Sequence, residues 1–279
     1  MTCLFVRNDL IAIRHCYVSI ILYILGLSDM DTVREYDSVK ITRRGREPAR
    51  DQVMVEATID LLVNGTRLSS IVTTPEMHRE LVVGYLITEG AISSMNDVQG
   101  IEQDGNKVDV KIKNFEHFNL WYELRSSGCI GINWEHRDED LFLPIGQRFD
   151  IDIILDSLGY LYSDIHKKTR GAHTACLVDA GGEMRYRALD VGRHNAIDKV
   201  VGAAALAGED VTKMFLLSSG RQPAGMVMKA ARAGIPLVVS KAAPISSGIE
   251  SARRANLTLA CFADGEKVKA FSCPERIVS

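Results

Sequence analysis

Between Asp190 and Ala204 the chain reads DVGRHNAIDKVVGAA, which sets a carboxylate, a flexible glycine, a guanidinium, an imidazole and a side-chain amide side by side as Asp190, Gly192, Arg193, His194 and Asn195. Gly192 lets the backbone approach a ligand, and Arg193 carries a planar fork that matches a phosphate or carboxylate. Ile197, Val200 and Val201 recur at helical spacing, so the polar cluster falls where a helix starts. A capped helix start with a solvated arginine explains the same residues. Two further junctions have the same build: LSSGRQP supplies Ser218, Ser219, Gly220 and Arg221, and VSKAAPISSG supplies Ser240, Lys241, Ser246 and Ser247. Each follows an apolar, strand-like run. Open α/β sheets bind ligands beyond the carboxyl ends of their strands, where helix N-termini offer amides to anions. Serine and glycine are ordinary caps at any single junction, but three such junctions together predict one rim that takes a phosphorylated ligand.

His173, in RGAHTACLV, opens another strand-like run beside Arg170 and Gly171, as either a satisfied polar residue or a ligand-facing one. Cys129 lies in RSSGCIGIN, a Gly/Ser segment expected to be an exposed loop, with Arg125, His136 and Arg137 near in sequence. Accessibility is one requirement of a reactive thiol, and nearby positive charge serves the other, a lowered pKa. Cys176 and Cys261 sit in apolar runs and read as buried structural thiols. The six cysteines form no CxxC pair and no zinc-finger spacing, which points to a reducing, cytoplasmic setting and to no bound metal.

These residues need a scaffold, and 279 residues of 46% hydrophobic composition can build one. The net charge of −3 leaves no broad footprint for nucleic acid or an anionic membrane. An apolar run, CYVSIILYILGL, resembles a short signal-peptide core but lacks a cleavage site and falls short of the ~18 residues of a spanning helix. Residues 1–29 are therefore read as an extension ahead of a start at Met30, outside the fold. Residues 30–125 read as a small α+β domain. In it a strand over 53–63 turns at Asn64-Gly65 into RLSSIVTT, and a helix capped by Thr74 with Pro75 in its first turn ends at Gly90. A second hairpin turns at Gly105-Asn106. Over 126–279 a helix at 151–162 and the hairpin HTACLVD/EMRYRAL lead into alternating strands and helices, the pattern of a mainly parallel sheet covered by helices.

The segments DVGRHNAIDKVVGAA, SSGRQPAGMVMKAARAGIPLVVSKAAP and VNGTRLSSIVTTPEMHRELVVGYLITEGAI, within a match from Val53 to Ile277, resemble the FdhD family of formate dehydrogenase accessory sulfurtransferases. The resemblance implies a sulfurtransferase that accepts sulfur from a cysteine desulfurase as a persulfide. It would pass that sulfur to molybdenum or tungsten bis(molybdopterin guanine dinucleotide), bound as substrate, before the cofactor enters formate dehydrogenase or a related enzyme. It further implies a cytidine-deaminase-like three-layer α/β second domain, a homodimer, and a guanine nucleotide as a mimic of the cofactor. The family's cofactor-binding segment falls on Phe262, Ala263, Asp264, Gly265, Glu266 and Lys267, and its sulfur loop on Cys129.

Two departures stand out. Asp264 and Glu266 make the cofactor segment more acidic than the family's usual pattern. The sulfur loop reads SSGCIGIN where the family has SSCGxCG, leaving Cys129 alone; one thiolate can still carry a persulfide, but a two-cysteine relay in this loop is excluded. A non-catalytic chaperone that delivers the cofactor is the alternative reading. A zinc nucleobase deaminase is disfavoured, because HTA stands where HxE is needed and no PCxxC follows.

Overall fold

The computed structural model describes residues 32–113, 121–125, 129–133 and 141–279; the expected N-terminal extension lies outside them. The described chain opens with a hairpin arm of two ten-residue strands, β1 (Val33–Thr42) and β2 (Gly45–Met54), exposed along most of their length. The continuous strand expected over 53–63 is interrupted. β2 ends at Met54 and β3 (Ala57–Val63) begins after Val55 and Glu56, where the chain leaves the arm and its side chains start to alternate into a core.

The Asn64-Gly65 turn forms as expected, with both residues in left-handed conformations (φ 50° and 81°) that reverse the chain into β4 (Thr66–Thr73). Asn64 also clamps the neighbouring strand: its amide donates to Ile112 O at 3.1 Å and accepts from Ile112 N at 2.9 Å. The helix α1 (His78–Thr88) starts later than Thr74 would set it, with Met77 in a left-handed conformation at its cap and no side-chain cap bond. Thr74 is drawn into tertiary contacts instead. Gly90 (φ 77°) ends α1, and Ala91 N closes back on Leu86 O at 2.7 Å. With β5 (Val98–Asp104) and β6 (Lys107–Ile112), the first sheet runs in the order β4-β3-β6-β5, its central pair parallel.

Next come β7 (Trp121–Arg125) and β8 (Cys129–Asn133), an antiparallel hairpin where the sequence suggested an open loop. After β9 (Phe149–Asp150), the helix expected to Tyr162 is α2 (Ile151–Ser157) followed by a 3₁₀ turn over Leu158–Leu161; α3 (Asp164–Thr169) follows. The second sheet is built from β10 (His173–Asp179), β11 (Met184–Asp190), α4 (Arg193–Leu206), β12 (Met214–Ser218), α5 (Ala224–Arg232), β13 (Leu237–Ser240), α6 (Ser246–Arg254), β14 (Thr258–Cys261) and β15 (Lys269–Ser272). Its order is β11-β10-β12-β13-β14-β15, with β12, β13 and β14 parallel; β16 (Ile277–Val278) pairs with β9. Both faces of β10, β12, β13 and β14 are buried. Leu177, Leu216, Val238 and Leu259 pack toward α4, α5 and α6, while Cys176, Phe215, Leu217 and Val239 pack on Phe149, Ile154 and Leu158.

The two sheets are joined by α1 and α4 at backbone contact. A Cβ on Gly84 would sit 1.7 Å from the Asp198 carbonyl oxygen, and one on Gly202 would sit 1.8 Å from that of Glu80. One apolar cluster therefore runs from Ile59 and Leu61 through Leu81 and Val200 to Val238. The fold is mixed α/β.

Candidate functional site

Strand register brings the three polar junctions together. His173 lies opposite Asp190, Ala175 opposite Ser218, and Ser218 beside Ser240, so the carboxyl ends of β11, β12 and β13 share one edge with the start of β10. Backbone bonds stitch the loops along it: Ser219 N to Thr174 O (3.0 Å), Lys241 N to Ser218 O (3.3 Å), Phe262 N to Ala242 O (3.2 Å) and Ala263 N to Ser240 O (3.0 Å). At this edge α4, α5 and α6 begin on Gly192, Pro223 and Ile245, none of which caps its own helix with a side chain, although Ser247 Oγ of α6 accepts from Ala224 N at the start of α5 (3.3 Å). By contrast, α2 and α3 are capped by Asp150 and Ser163. Helix starts without side-chain caps present amides and the positive end of the helix dipole to an anion.

Cationic groups flank those helix starts. Arg221 and Lys241 are exposed and Arg193 is half-buried, its stem pressed against Gly220, where a Cβ would come within 2.9 Å of Arg193 Cβ. Gly220 thus serves to make room for Arg193. His194 is half-buried in the first turn of α4, and Ser246 is exposed at the start of α6. His173 Nδ1 lies 3.3 Å from Ser219 Oγ, which also accepts from Thr174 N at 2.9 Å. Burial, reinforced by Arg193, holds the His173 imidazole below its ordinary 6.5.

Several expected contact residues turn out to support the rim from beneath. Asp190 is fully buried. Its carboxylate accepts from Thr73 Oγ1 (2.5 Å), Thr74 N (3.1 Å), Gly192 N (2.7 Å) and Asn195 Nδ2 (3.0 Å), and pairs with Lys199 at 2.7 Å. Lys199 also donates to Thr74 O, and Thr74 Oγ1 accepts from Val191 N. This cluster locks the loop before α1 to the head of α4. Asn195 is likewise engaged, donating to Val72 O at 2.8 Å. The hydroxyls of Ser218 and Ser240 are buried and used within the loops: Ser218 accepts from Gly220 N, while Ser240 donates to Gly220 O and accepts from Ala242 N. Gln222, not singled out from the sequence, is fully buried; its Nε2 donates to Gly220 O (2.8 Å) within the same loop, while its backbone N donates to Ala243 O (3.1 Å) and its O accepts from Ile245 N (3.1 Å) of the next junction. Its position between Arg221 and Pro223 was the one available signal.

The segment 262–267 borders the same edge. Phe262 is left-handed (φ 53°) and exposed, with Lys269 Nζ 5.6 Å from its ring centre. Ala263 is buried, whereas Gly265 and Glu266 are exposed. Asp264 accepts from Glu266 N and Lys267 N, both at 3.0 Å, and pairs with Lys267 Nζ at 3.1 Å. Those bonds hold its carboxyl below the usual range, and Lys267 offsets the acidity that the sequence suggested.

Cys129 opens β8 opposite Arg125, so its backbone lies at a strand end; its side chain, like His136 and Arg137, lies outside the described residues. Cys176 and Cys261 are buried, and burial pushes both thiols up to about 12, as expected of structural cysteines. A second buried ionic cluster was not foreseen. Lys229 Nζ contacts Asp198 (2.9 Å), Glu89 (2.8 Å) and Thr88 Oγ1 (2.9 Å) where α1, α4 and α5 meet.

The model of the FdhD/NarQ family matches residues 54–278. The chain belongs to the FdhD/NarQ family. Among its relatives, the sulfur carrier protein FdhD of Methanothermobacter thermautotrophicus is 34% identical over 257 residues, covering 89% of this chain and 100% of that protein. The protein of the same name from Thermoplasma acidophilum is 36% identical over 250 residues, covering 82% and 88%. The fold is also similar to a crystal structure described as a formate dehydrogenase accessory protein from Desulfotalea psychrophila, with a TM-score of 0.74, 25% identity, and coverage of 88% of this chain and 100% of that one. Among the described residues of this FdhD/NarQ chain, no helix is long and apolar enough to cross a membrane.

Proposed function

We propose that this FdhD/NarQ chain is a sulfurtransferase in formate dehydrogenase maturation. Cys129 carries the sulfur, and the rim holds molybdenum or tungsten bis(molybdopterin guanine dinucleotide) as substrate. The observation that carries the second half is the convergence of three helix starts, none capped by its own N-cap side chain, with Arg193, Arg221 and Lys241, a donor-rich, cationic edge suited to the phosphates of a dinucleotide. In the sulfur step the Cys129 thiolate attacks the outer sulfur of a persulfide on a cysteine desulfurase. A new S–S bond forms, the donor's S–S bond breaks, and the donor cysteine leaves as thiolate. The family names and the Gly/Ser-flanked place of Cys129 support this reading.

The test is intact-mass analysis after incubation with a cysteine desulfurase and cysteine. Wild type should gain one sulfur atom, reversible by a thiol reductant, and Cys129→Ser should not. Equal activation of formate dehydrogenase by wild type and Cys129→Ser would reject the persulfide role in favour of a chaperone that only delivers the cofactor. For the rim, single alanine variants of Arg193, Arg221 and Lys241 should each weaken GDP binding roughly tenfold, a loss that shrinks as salt rises. Unchanged GDP affinity in all three would remove the phosphate site.

A further inference from the structure

The β1–β2 arm has little support from the rest of the described chain. An isolated two-stranded hairpin is only marginally stable in water, yet its strands are exposed over most positions on both faces. Its shaft neutralises itself: Lys40 pairs with Glu47 at 2.7 Å, Arg50 with Asp37 at 3.1 Å and with Glu35 at 3.8 Å. The tip does not. Arg43, Arg44 and Arg46 crowd the turn, all exposed, and none forms an ion pair among the described residues. Val39 and Ile41, exposed by 59% and 65%, share one strand face with their cross-strand partners Pro48 and Arg46. A small apolar patch beside three uncompensated guanidinium groups matches a protein surface that offers carboxylates around an apolar centre.

The arm is also rooted beside the rim. The Met54 side chain, at the end of β2, packs where a Cβ on Gly171 would be 3.1 Å away, two residues before His173. We propose that the arm is the docking surface for the enzyme that receives the cofactor, gripping an acidic, partly apolar patch on it while the rim holds the cargo. This rests on the rim reading above, since a receiving enzyme exists only if there is cargo to hand over. The arginines speed encounter and set orientation, and Val39 and Ile41 supply the desolvated contact.

The experiment titrates purified apo-formate dehydrogenase against the full chain and against R43E/R44E/R46E and V39S/I41S, with GDP titrated in parallel. The charge-reversed variant should lose roughly a hundredfold in affinity for the apoenzyme at low salt, and V39S/I41S roughly tenfold, while GDP affinity stays at the wild-type value in both. Equal affinity of wild type and both variants for the apoenzyme, or no binding by wild type, would overturn the docking role. So would a fall in native mass on light scattering, which would make the arm a contact between copies of this chain. Loss of binding only to phosphatidylglycerol vesicles would overturn it too. If wild type binds the apoenzyme through the arm but not GDP, the rim reading falls and the hand-over role of the arm falls with it, leaving a contact with the apoenzyme alone.

Discussion

Asp198 and Lys199 are neighbours on α4, yet they belong to two different buried ion clusters. Lys199 reaches the edge of the sheet, where Asp190 gathers it together with donors from the loop before α1 and the head of α4. Asp198 turns into the helix interface, where Lys229 joins it to Glu89 and Thr88. Desolvating charge makes such clusters poor sources of stability compared with well-packed apolar groups, but removing one partner from either is severe. What separates them is what they hold in place. The inner cluster fixes how three helices meet, and the outer one fixes where the rim's loops lie.

The largest effect should come from the inner cluster. Lys229→Met leaves Asp198 and Glu89 buried without their main cation and should cost ~3–5 kcal/mol by denaturant unfolding. GDP affinity of the folded fraction should stay unchanged. The triple variant E89Q/D198N/K229M should recover most of that loss. A K229M protein with weakened GDP binding would break the distinction between the clusters.

Asp190→Asn should cost somewhat less, about 2–3 kcal/mol, because the amide keeps one acceptor but deprives Lys199 of its counter-charge. Here GDP binding should weaken at least about tenfold, as the loops lose their anchor. If stability falls while GDP affinity does not, the outer cluster is structural as well, and the comparison collapses.

The smallest effect concerns pH. His78 is buried near Lys199, with no partner for Nε2 among the described residues; burial first, then Lys199, holds its imidazole below the ordinary 6.5. A depressed histidine pKa means the unfolded chain binds the proton more readily, so this contribution to stability is complete above 6.5 and is lost as pH falls through the lowered pKa. His78→Gln should leave stability near pH 8 almost unaltered and flatten the acid limb of a stability profile. An acid limb of unchanged slope would show that other groups, His173 among them, dominate it.

Much of this was legible because local chemistry and tertiary structure agree. Asn64-Gly65 demands a reversed backbone, and the structure uses it; the alternation of the apolar runs of β12, β13 and β14 with helices foretold a covered sheet. The rim was legible as three strand-to-helix junctions. The misreadings occur where distant partners take over. Thr74 has the chemistry of a helix cap but is claimed by Val191, Asp190 and Lys199, more than a hundred residues away in sequence. Asp190 reads as a ligand contact because nothing local reveals that its oxygens are saturated. Lys229 looks like a solvated helical lysine, since charged side chains are seldom buried and its partners come from two other helices. The arm carries no apolar alternation toward a core, so sequence pattern offered nothing to find.

The glycine contact between α1 and α4 also bears on how the chain is made. Thr88 and its partner Asp198 are 110 positions apart. At roughly 5–20 residues per second, a ribosome takes about 5–20 s to add the stretch between them. For that interval the Gly84 side of α1, which meets the backbone of α4 in the finished fold, has nothing to cover it. The first sheet therefore completes its burial only when the second half of the polypeptide arrives.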